Sequence, residues 1–160
     1  MVQLGRGPIY IFDTSAWIDC NDQAGDNRIP VLLNKLFDSE RLCNPKEVPG
    51  EMERAGLISD WVKERRAKLK YPRGLPRDYA QNVGRVQHRF PGMGKAMGPK
   101  RRADPFIIAL ALTYHCEDQH WIVVTSETGN RRPRRKIKGA CDELGLPCIT
   151  LQELIELELP

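Results

Sequence analysis

Acidic side chains in this chain follow two strand-like segments and begin one helix-like segment. Asp13 comes directly after the β-prone run 9–12, Glu127 follows the run 121–125, and Asp104 stands at the start of a long apolar segment. Because ligands bind outside the carboxyl ends of strands in open parallel sheets, we expect these carboxylates to face one cleft. Gathered carboxylates repel one another unless a proton or cation intervenes, and hard oxygen ligands select Mg²⁺ or Mn²⁺. The pattern therefore predicts a divalent-metal site.

Each acidic residue taken singly also has an ordinary structural explanation. Asp104 precedes a proline and is a candidate helix N-cap, and Asp13 is a candidate cap for the turn that follows it. Glu51 could be an exposed residue in a first helical turn, where the helix dipole favours negative charge. Glu127 could be a loop residue without a role. Only the joint placement of the carboxylates favours a metal site over these alternatives.

The composition is that of a folded globular protein. Hydrophobic residues make up 41% and charged residues 29% of the chain, which excludes the disordered and membrane classes. At 160 residues the chain suits one domain over 1–160. Its longest apolar stretch, 106–112, is too short to cross a bilayer, and its polar first residues do not resemble a signal peptide.

The cysteines indicate a reducing compartment. They are five in number and widely scattered, which argues against a disulfide framework. Cys116 lies near His115 and His120, but their spacing is not that of a four-ligand zinc site. We therefore expect a cytoplasmic protein whose thiols act as small hydrophobic groups.

Alternating strands and helices predict an α/β protein. Predicted strands cover 9–12, 41–45, 121–125 and 147–150, and predicted helices cover 31–37, 46–57, 58–69, 103–114 and 134–144, with a last helix beginning near 151. We expect a turn after Asp13, a helical hairpin over 46–69, and an exposed, adaptable segment over 71–99 with one weak helix at 78–88. The order predicts a three-layer α/β/α fold with a mostly parallel central sheet.

Four segments of the chain together resemble the PIN domain family, and more narrowly its uncharacterised PIN-like relatives. They are IYIFDTS at 9–15, VPGE at 48–51, ADPFIIALA at 103–111 and VVTSE at 123–127. The resemblance spans nearly the whole chain and implies a single PIN-like domain. It also implies divalent-metal-dependent ribonuclease activity and, for many bacterial and archaeal members, a toxin role with a cognate antitoxin protein; homodimers are common in similar proteins.

The resemblance also implies roles for individual residues. Asp13, Glu51 and Asp104 become ligands of Mg²⁺ or Mn²⁺, and Glu127 completes the acidic cluster. Glu51 is chosen over Glu47 and Glu53 because of its position after Val48. The last acidic position is commonly aspartate in the family and is glutamate here, which puts direct metal binding by Glu127 in doubt. The hydroxyl groups implied to orient ligands or water are those of Thr14, Ser15 and Thr125.

The positive charge of the chain is clustered. Lys and Arg number 25 against 21 Asp and Glu, a net charge of +4, and much of it falls at 95–102 and 131–138. The ordinary explanation of either cluster is a solvated surface. The alternative is that the clusters hold RNA phosphates through Lys95, Lys100, Arg101, Arg102, Arg131, Arg132, Arg134 and Arg135.

These features lead to one leading hypothesis and two alternatives. In the first, water activated by the bound metal attacks an RNA phosphate in line, with no side-chain nucleophile. In the second, the chain keeps the fold but is a non-catalytic module that binds nucleic acid or a partner. A phosphatase of another α/β family is weaker, because Asp13 is followed by Thr14 and Ser15 rather than by an Asp-x-Asp arrangement.

Overall fold

The structure is a computed structural model, and it describes residues 7–91, 93, 103–126 and 137–160. Its strands are β1 (Ile9–Phe12), β2 (Leu42–Cys43), β3 (Trp121–Val124) and β4 (Cys148–Ile149). In the described chain they form one sheet with the order β2-β1-β3-β4, and every pair is parallel. The apolar runs of β1 and β3 are rich in β-branched and aromatic residues, which suits strands covered on both faces.

Eight helices of the described chain flank this sheet. They are α1 (Thr14–Asp22), α2 (Arg28–Asp38), α3 (Glu47–Arg54), α4 (Asp60–Leu69), α5 (Arg77–Arg89), α6 (Asp104–Tyr114), α7 (Ile137–Leu144) and α8 (Leu151–Glu158). The predicted three-layer α/β/α architecture is confirmed, and so is the parallel sheet. No helix among the described residues has both the length and the apolarity needed to cross a membrane.

The strand order creates a switch point between β1 and β3. From β1 the chain passes to β2 on one side, and it later adds β3 on the other side. Connections that diverge from a central strand leave a crevice at the carboxyl ends of the two strands, where α/β proteins bind ligands. Phe12 pairs with Val124 at the last position of this ladder. The residues that follow both strands therefore lie at the switch point.

Helix α6 is the most deeply buried helix of the described chain. Every residue from 107 to 111 is fully buried, and the helix contacts β1, β3, α5 and α7. Pro105 lies in its first turn, where the missing amide hydrogen breaks no helical hydrogen bond. The apolar run predicted this burial correctly, and it fixes the start of α6 close to the central strands.

Two predictions about local structure are wrong. The segment after Asp13 is not a turn but α1, with Ala16, Trp17 and Cys20 buried. The segment 71–99 is not exposed throughout, because α5 packs on α6 and buries Tyr79 and Val86. In both places a partner distant in sequence supplies the burial that stabilises the helix.

The carboxyl-terminal helix is fastened to the central strands by a buried ion pair. The Arg41 guanidinium donates to both oxygens of Glu158, at 2.8 and 2.9 Å, and the Tyr10 hydroxyl donates to the same carboxylate at 2.7 Å. Arg41 and Glu158 side chains are only 8% and 10% exposed. The Arg41 hydrogen bonds, helped by Tyr10, lower the pKa of Glu158 to about 2.

Glu158→Gln is expected to lower the free energy of unfolding by about 3 kcal/mol at pH 7, because it leaves the buried Arg41 without its counter-charge. The pKa of Glu158 is lower in the folded chain than the roughly 4.3 of an unfolded glutamate. Its stabilising effect is therefore complete above that value and is lost as the pH falls through about 2. Urea unfolding from pH 7 down to pH 2 measures both effects.

The matched control is Glu156→Gln on the same helix, since Glu156 is exposed and its loss is expected to change stability by less than about 0.5 kcal/mol. Equal effects of the two substitutions, or a difference between wild type and Glu158→Gln that does not shrink in acid, would contradict the assignment.

Candidate functional site

Asp13 is a buried carboxylate at the switch point of the sheet. The residue is 1% exposed and is the N-cap of α1. Its Oδ1 accepts from the Ala16 amide and from the Ser15 hydroxyl, both at 2.8 Å. Its Oδ2 accepts from the Thr125 hydroxyl at 2.5 Å. A carboxylate removed from water needs such donors, because an uncompensated buried charge is strongly unfavourable.

Hydroxyl groups connect α1 to the residues that follow β3. The Ser15 and Thr125 hydroxyls lie 3.2 Å apart, and the Ser126 amide donates to Ser15 Oγ at 2.9 Å. The Asp13 amide also donates to the Val124 carbonyl at 3.1 Å. Ser15 and Thr125 thus contact Asp13 as well as each other, which brings together three of the residues singled out from the sequence.

Asp19 is a carboxylate of this region that the sequence reasoning missed. Its Oδ2 accepts from the Ser126 hydroxyl at 2.8 Å, and its Oδ1 accepts from the Gln23 side chain at 2.7 Å. Residues four apart share one helix face, so Ser15 and Asp19 both reach Ser126 from α1. The i, i+4 spacing of Ser15 and Asp19 indicates a shared face only in a helix. A predicted turn after Asp13 therefore gave no reason to group them.

Glu51 lies against the amino-terminal end of α6. Its Oε2 accepts from the Ala103 amide at 2.7 Å, and Ala103 is an N-cap residue whose own side chain makes no capping hydrogen bond. Asp104 is the first residue of α6. Glu51 therefore contacts the residue that immediately precedes Asp104.

The ordinary explanations considered for these two carboxylates do not describe them well. Asp104 lies within α6 rather than at its N-cap. Glu51 is partly buried and does not lie in the first turn of its own helix, α3. Its carboxylate lies at the start of α6, where unpaired amides and the helix dipole stabilise negative charge. Glu53, by contrast, is exposed and pairs with Arg66. Among the glutamates of α3 with described contacts, Glu51 is the one bonded to α6.

Thr14 carries a buried hydroxyl with no partner. Its Oγ1 is shielded from solvent and makes no hydrogen bond in the described chain, although buried polar groups are normally satisfied. Thr14 directly follows Asp13 in the chain. A polar ligand or a water molecule bound at the switch point would satisfy this hydroxyl.

Several predicted residues lie outside the described part of the chain. They are Glu127, Lys95, Lys100, Arg101, Arg102, Arg131, Arg132, Arg134 and Arg135. Within the described residues, no three His, Cys, Asp or Glu side chains lie close enough together to hold a metal ion. All five cysteines are free. His115 accepts a hydrogen bond from the Trp121 amide at 3.1 Å, and Cys116 is exposed.

The donor set nevertheless has the chemistry of a magnesium or manganese site. Asp13, Glu51 and Asp104 offer only carboxylate oxygens, which such hard cations prefer. The unsatisfied Thr14 hydroxyl is a further oxygen next to Asp13. The residue types therefore fit the predicted cation, although the described carboxylates are not gathered into a three-ligand cluster.

Comparison with known proteins assigns the chain to a family. The sequence model of a family described as a domain of unknown function, DUF4411, matches residues 10–158. No curated protein and no solved structure is significantly similar to the chain. The match does not test the resemblance to PIN domains, which stays a prediction. Because it covers nearly the whole chain, this protein belongs to the DUF4411 family.

Proposed function

We propose that this protein is a divalent-metal-dependent ribonuclease with a PIN-like domain over 1–160. The observation that carries the proposal is the position of Asp13, which is buried at the switch point and bonded to Thr125 across it. Glu51 adds support because it reaches the start of α6, where Asp104 stands. Asp13 after β1, Glu51 from α3 and Asp104 from α6 are the carboxylates that this proposal assigns to a hydrolytic metal site.

Asp13, Glu51 and Asp104, completed by Glu127, would hold the Mg²⁺ or Mn²⁺ ion, which when bound supplies an activated water and offsets the charge of an RNA phosphate. Neighbouring side chains restrict the first of these carboxylates, Asp13. The Ser15 and Thr125 hydroxyls donate to Asp13 and restrict its orientation.

Ser126, the residue before Glu127 in the sequence, is held from α1. Asp19 and Ser15 each accept a hydrogen bond from Ser126, which immediately precedes Glu127. Asp19 therefore acts as a positioning residue in this proposal. Its effect on the reaction passes through Ser126, as is common for groups that orient the direct ligands of a metal.

A non-catalytic module that binds nucleic acid or a partner protein is the second candidate. The observation that favours it is the lack of a three-ligand cluster among the described residues. Under this alternative the protein binds RNA in the presence of chelator, and it does not cleave RNA with any metal.

The proposal extends to partners and compartment. If the protein is a toxin, a small antitoxin protein would occupy the acidic cleft and bring Arg or Lys to Asp13 and Asp104. A homodimer is part of the same expectation. A cytoplasmic location agrees with five free cysteines, since thiols persist in reducing compartments.

Asp104→Asn is expected to abolish metal-dependent cleavage of a mixed single-stranded RNA pool, because the amide removes one negative ligand while keeping the shape. Cleavage is measured with Mg²⁺, Mn²⁺ or chelator. Asp22→Asn is the matched control, since Asp22 is the exposed last residue of α1. Cleavage that survives in Asp104→Asn would contradict the metal assignment, and binding without cleavage in every wild-type condition would favour the second candidate.

Asp19→Ala is expected to reduce kcat about 10-fold to 100-fold, the usual range for groups that orient ligands. Asp19→Asn should restore most of the activity, because its amide oxygen still accepts the Ser126 hydroxyl. Asp22→Ala serves as the control on the same helix. Equal loss in Asp19→Ala and Asp19→Asn would assign a role to the charge of Asp19 rather than to the positioning of Ser126.

A further inference from the structure

The segment 60–77 carries more positive charge than the whole chain. It contains seven Lys or Arg residues against two Asp or Glu residues, a net charge of +5, whereas the chain as a whole carries +4. The rest of the protein is therefore close to neutral. A surface that concentrates the charge in this way attracts polyanions.

Most of these cations are exposed and form no ion pair within the described part of the chain. Arg66 pairs with Glu53, and Arg65 lies 3.6 Å from Glu64. The others form no ion pair among the described residues; they are Lys63, Lys68, Lys70, Arg73 and Arg77. Exposed cations outside ion pairs attract phosphate strongly, because no carboxylate has to be released when they bind it.

Aromatic rings lie among these cations. The Arg65 guanidinium is 4.3 Å from the centre of the Trp61 ring and 5.6 Å from that of Phe37. The Arg73 guanidinium is 5.2 Å from the Tyr71 ring. Cations and aromatic faces side by side are the means by which proteins bind single-stranded nucleic acid, since phosphates meet the cations and bases stack on the rings.

A cleft of about 400 Å³ opens beside these residues. Its apolar walls include Phe37 and Tyr71, its cations are Lys68 and Arg73, and Asp38 and Glu40 also line it. The volume lies within the usual range for small-molecule sites. The two carboxylates disfavour a phosphate inside the cleft, and the exposed Asp38 carboxylate can accept hydrogen bonds from base amino groups or ribose hydroxyls. A base inside and phosphates along the rim fit this distribution of charge.

The cleft is remote from the carboxylates of the candidate site. It is lined by Ile9 and Leu42, the first residues of β1 and β2, whereas Asp13 follows the last residue of β1. At a rise of about 3.3 Å per residue, Ile9 and Asp13 are about 13 Å apart along the strand. An RNA held in this cleft is therefore held away from the proposed reaction site.

We propose that the surface formed by α4, the segment 70–77 and this cleft binds single-stranded RNA, with a base stacked against Phe37 or Tyr71 and phosphates on Lys68 and Arg73. This inference rests on the proposed function for the choice of RNA. It adds a binding surface separate from the basic clusters at 95–102 and 131–138. Arg73 donates to the Lys68 carbonyl at 3.0 Å, which orients its guanidinium beside the Tyr71 ring.

The test measures binding rather than cleavage. A fluorescent 12-nucleotide single-stranded RNA is titrated with Asp104→Asn protein in chelator, with and without Lys68→Ala/Arg73→Ala. The double substitution is expected to weaken binding at least about tenfold at 0.1 M salt and to lower the salt slope by about 1.4, the loss of two phosphate contacts on a single strand. Arg28→Ala/Arg85→Ala removes two exposed cations elsewhere and should change affinity less than about twofold.

A second arm tests stacking. An abasic strand of the same length and charge is expected to bind at least about tenfold more weakly than the base-bearing strand. Equal binding of the two strands, or equal effects of the two double variants, would overturn the proposal. The proposal would also be overturned if Lys68→Ala/Arg73→Ala weakened binding to vesicles of anionic phospholipid and left RNA binding unchanged.

The two proposals fail separately. RNA binding that depends on Lys68 and Arg73, without cleavage by wild-type protein, would retain this surface and overturn the ribonuclease. Metal-dependent cleavage with RNA affinity unaffected by Lys68→Ala/Arg73→Ala would do the reverse.

Discussion

The burial of one carboxylate, Asp13, constrains the arrangement around it. At 1% exposure this group requires hydrogen-bond donors within the folded protein. The donors come from the first turn of α1 and from Thr125 after β3. Satisfying Asp13 therefore requires β1 and β3 to be neighbours and α1 to be a helix. Local capping and the order of the sheet are parts of the same requirement.

The start of α6 shows the same dependence on a distant partner. Its N-cap, Ala103, has no polar side chain. Glu51 from α3 instead accepts a hydrogen bond from the Ala103 amide. A cap supplied from another helix couples the position of α3 to that of α6. Because α6 packs deeply against β1 and β3, the positions of both α3 and α6 are fixed relative to the switch point.

The two ends of the strands have different chemistry. Hydroxyl and carboxylate groups meet at the carboxyl ends, as the Asp13, Ser15 and Thr125 contacts show. At the opposite ends, Arg41 and Glu158 fasten α8, and the cleft beside Ile9 joins aromatic walls to cations. Parallel strands make this division possible, because all of their carboxyl ends lie on one edge of the sheet.

The sequence by itself determined the elements whose signal is local and strong. The alternation of strand-like and helix-like segments predicted the parallel sheet and the three layers. The apolar runs of β1 and α6 placed Asp13 and Asp104 at element ends. Tertiary structure alone decided that the segment after Asp13 is a helix and that α5 packs on α6. It also decided that Asp19 bonds to Ser126 after β3 and that Glu51 bonds to the start of α6. The reason is physical: these features depend on burial and hydrogen bonds between residues far apart in the chain, and no local pattern records such partners.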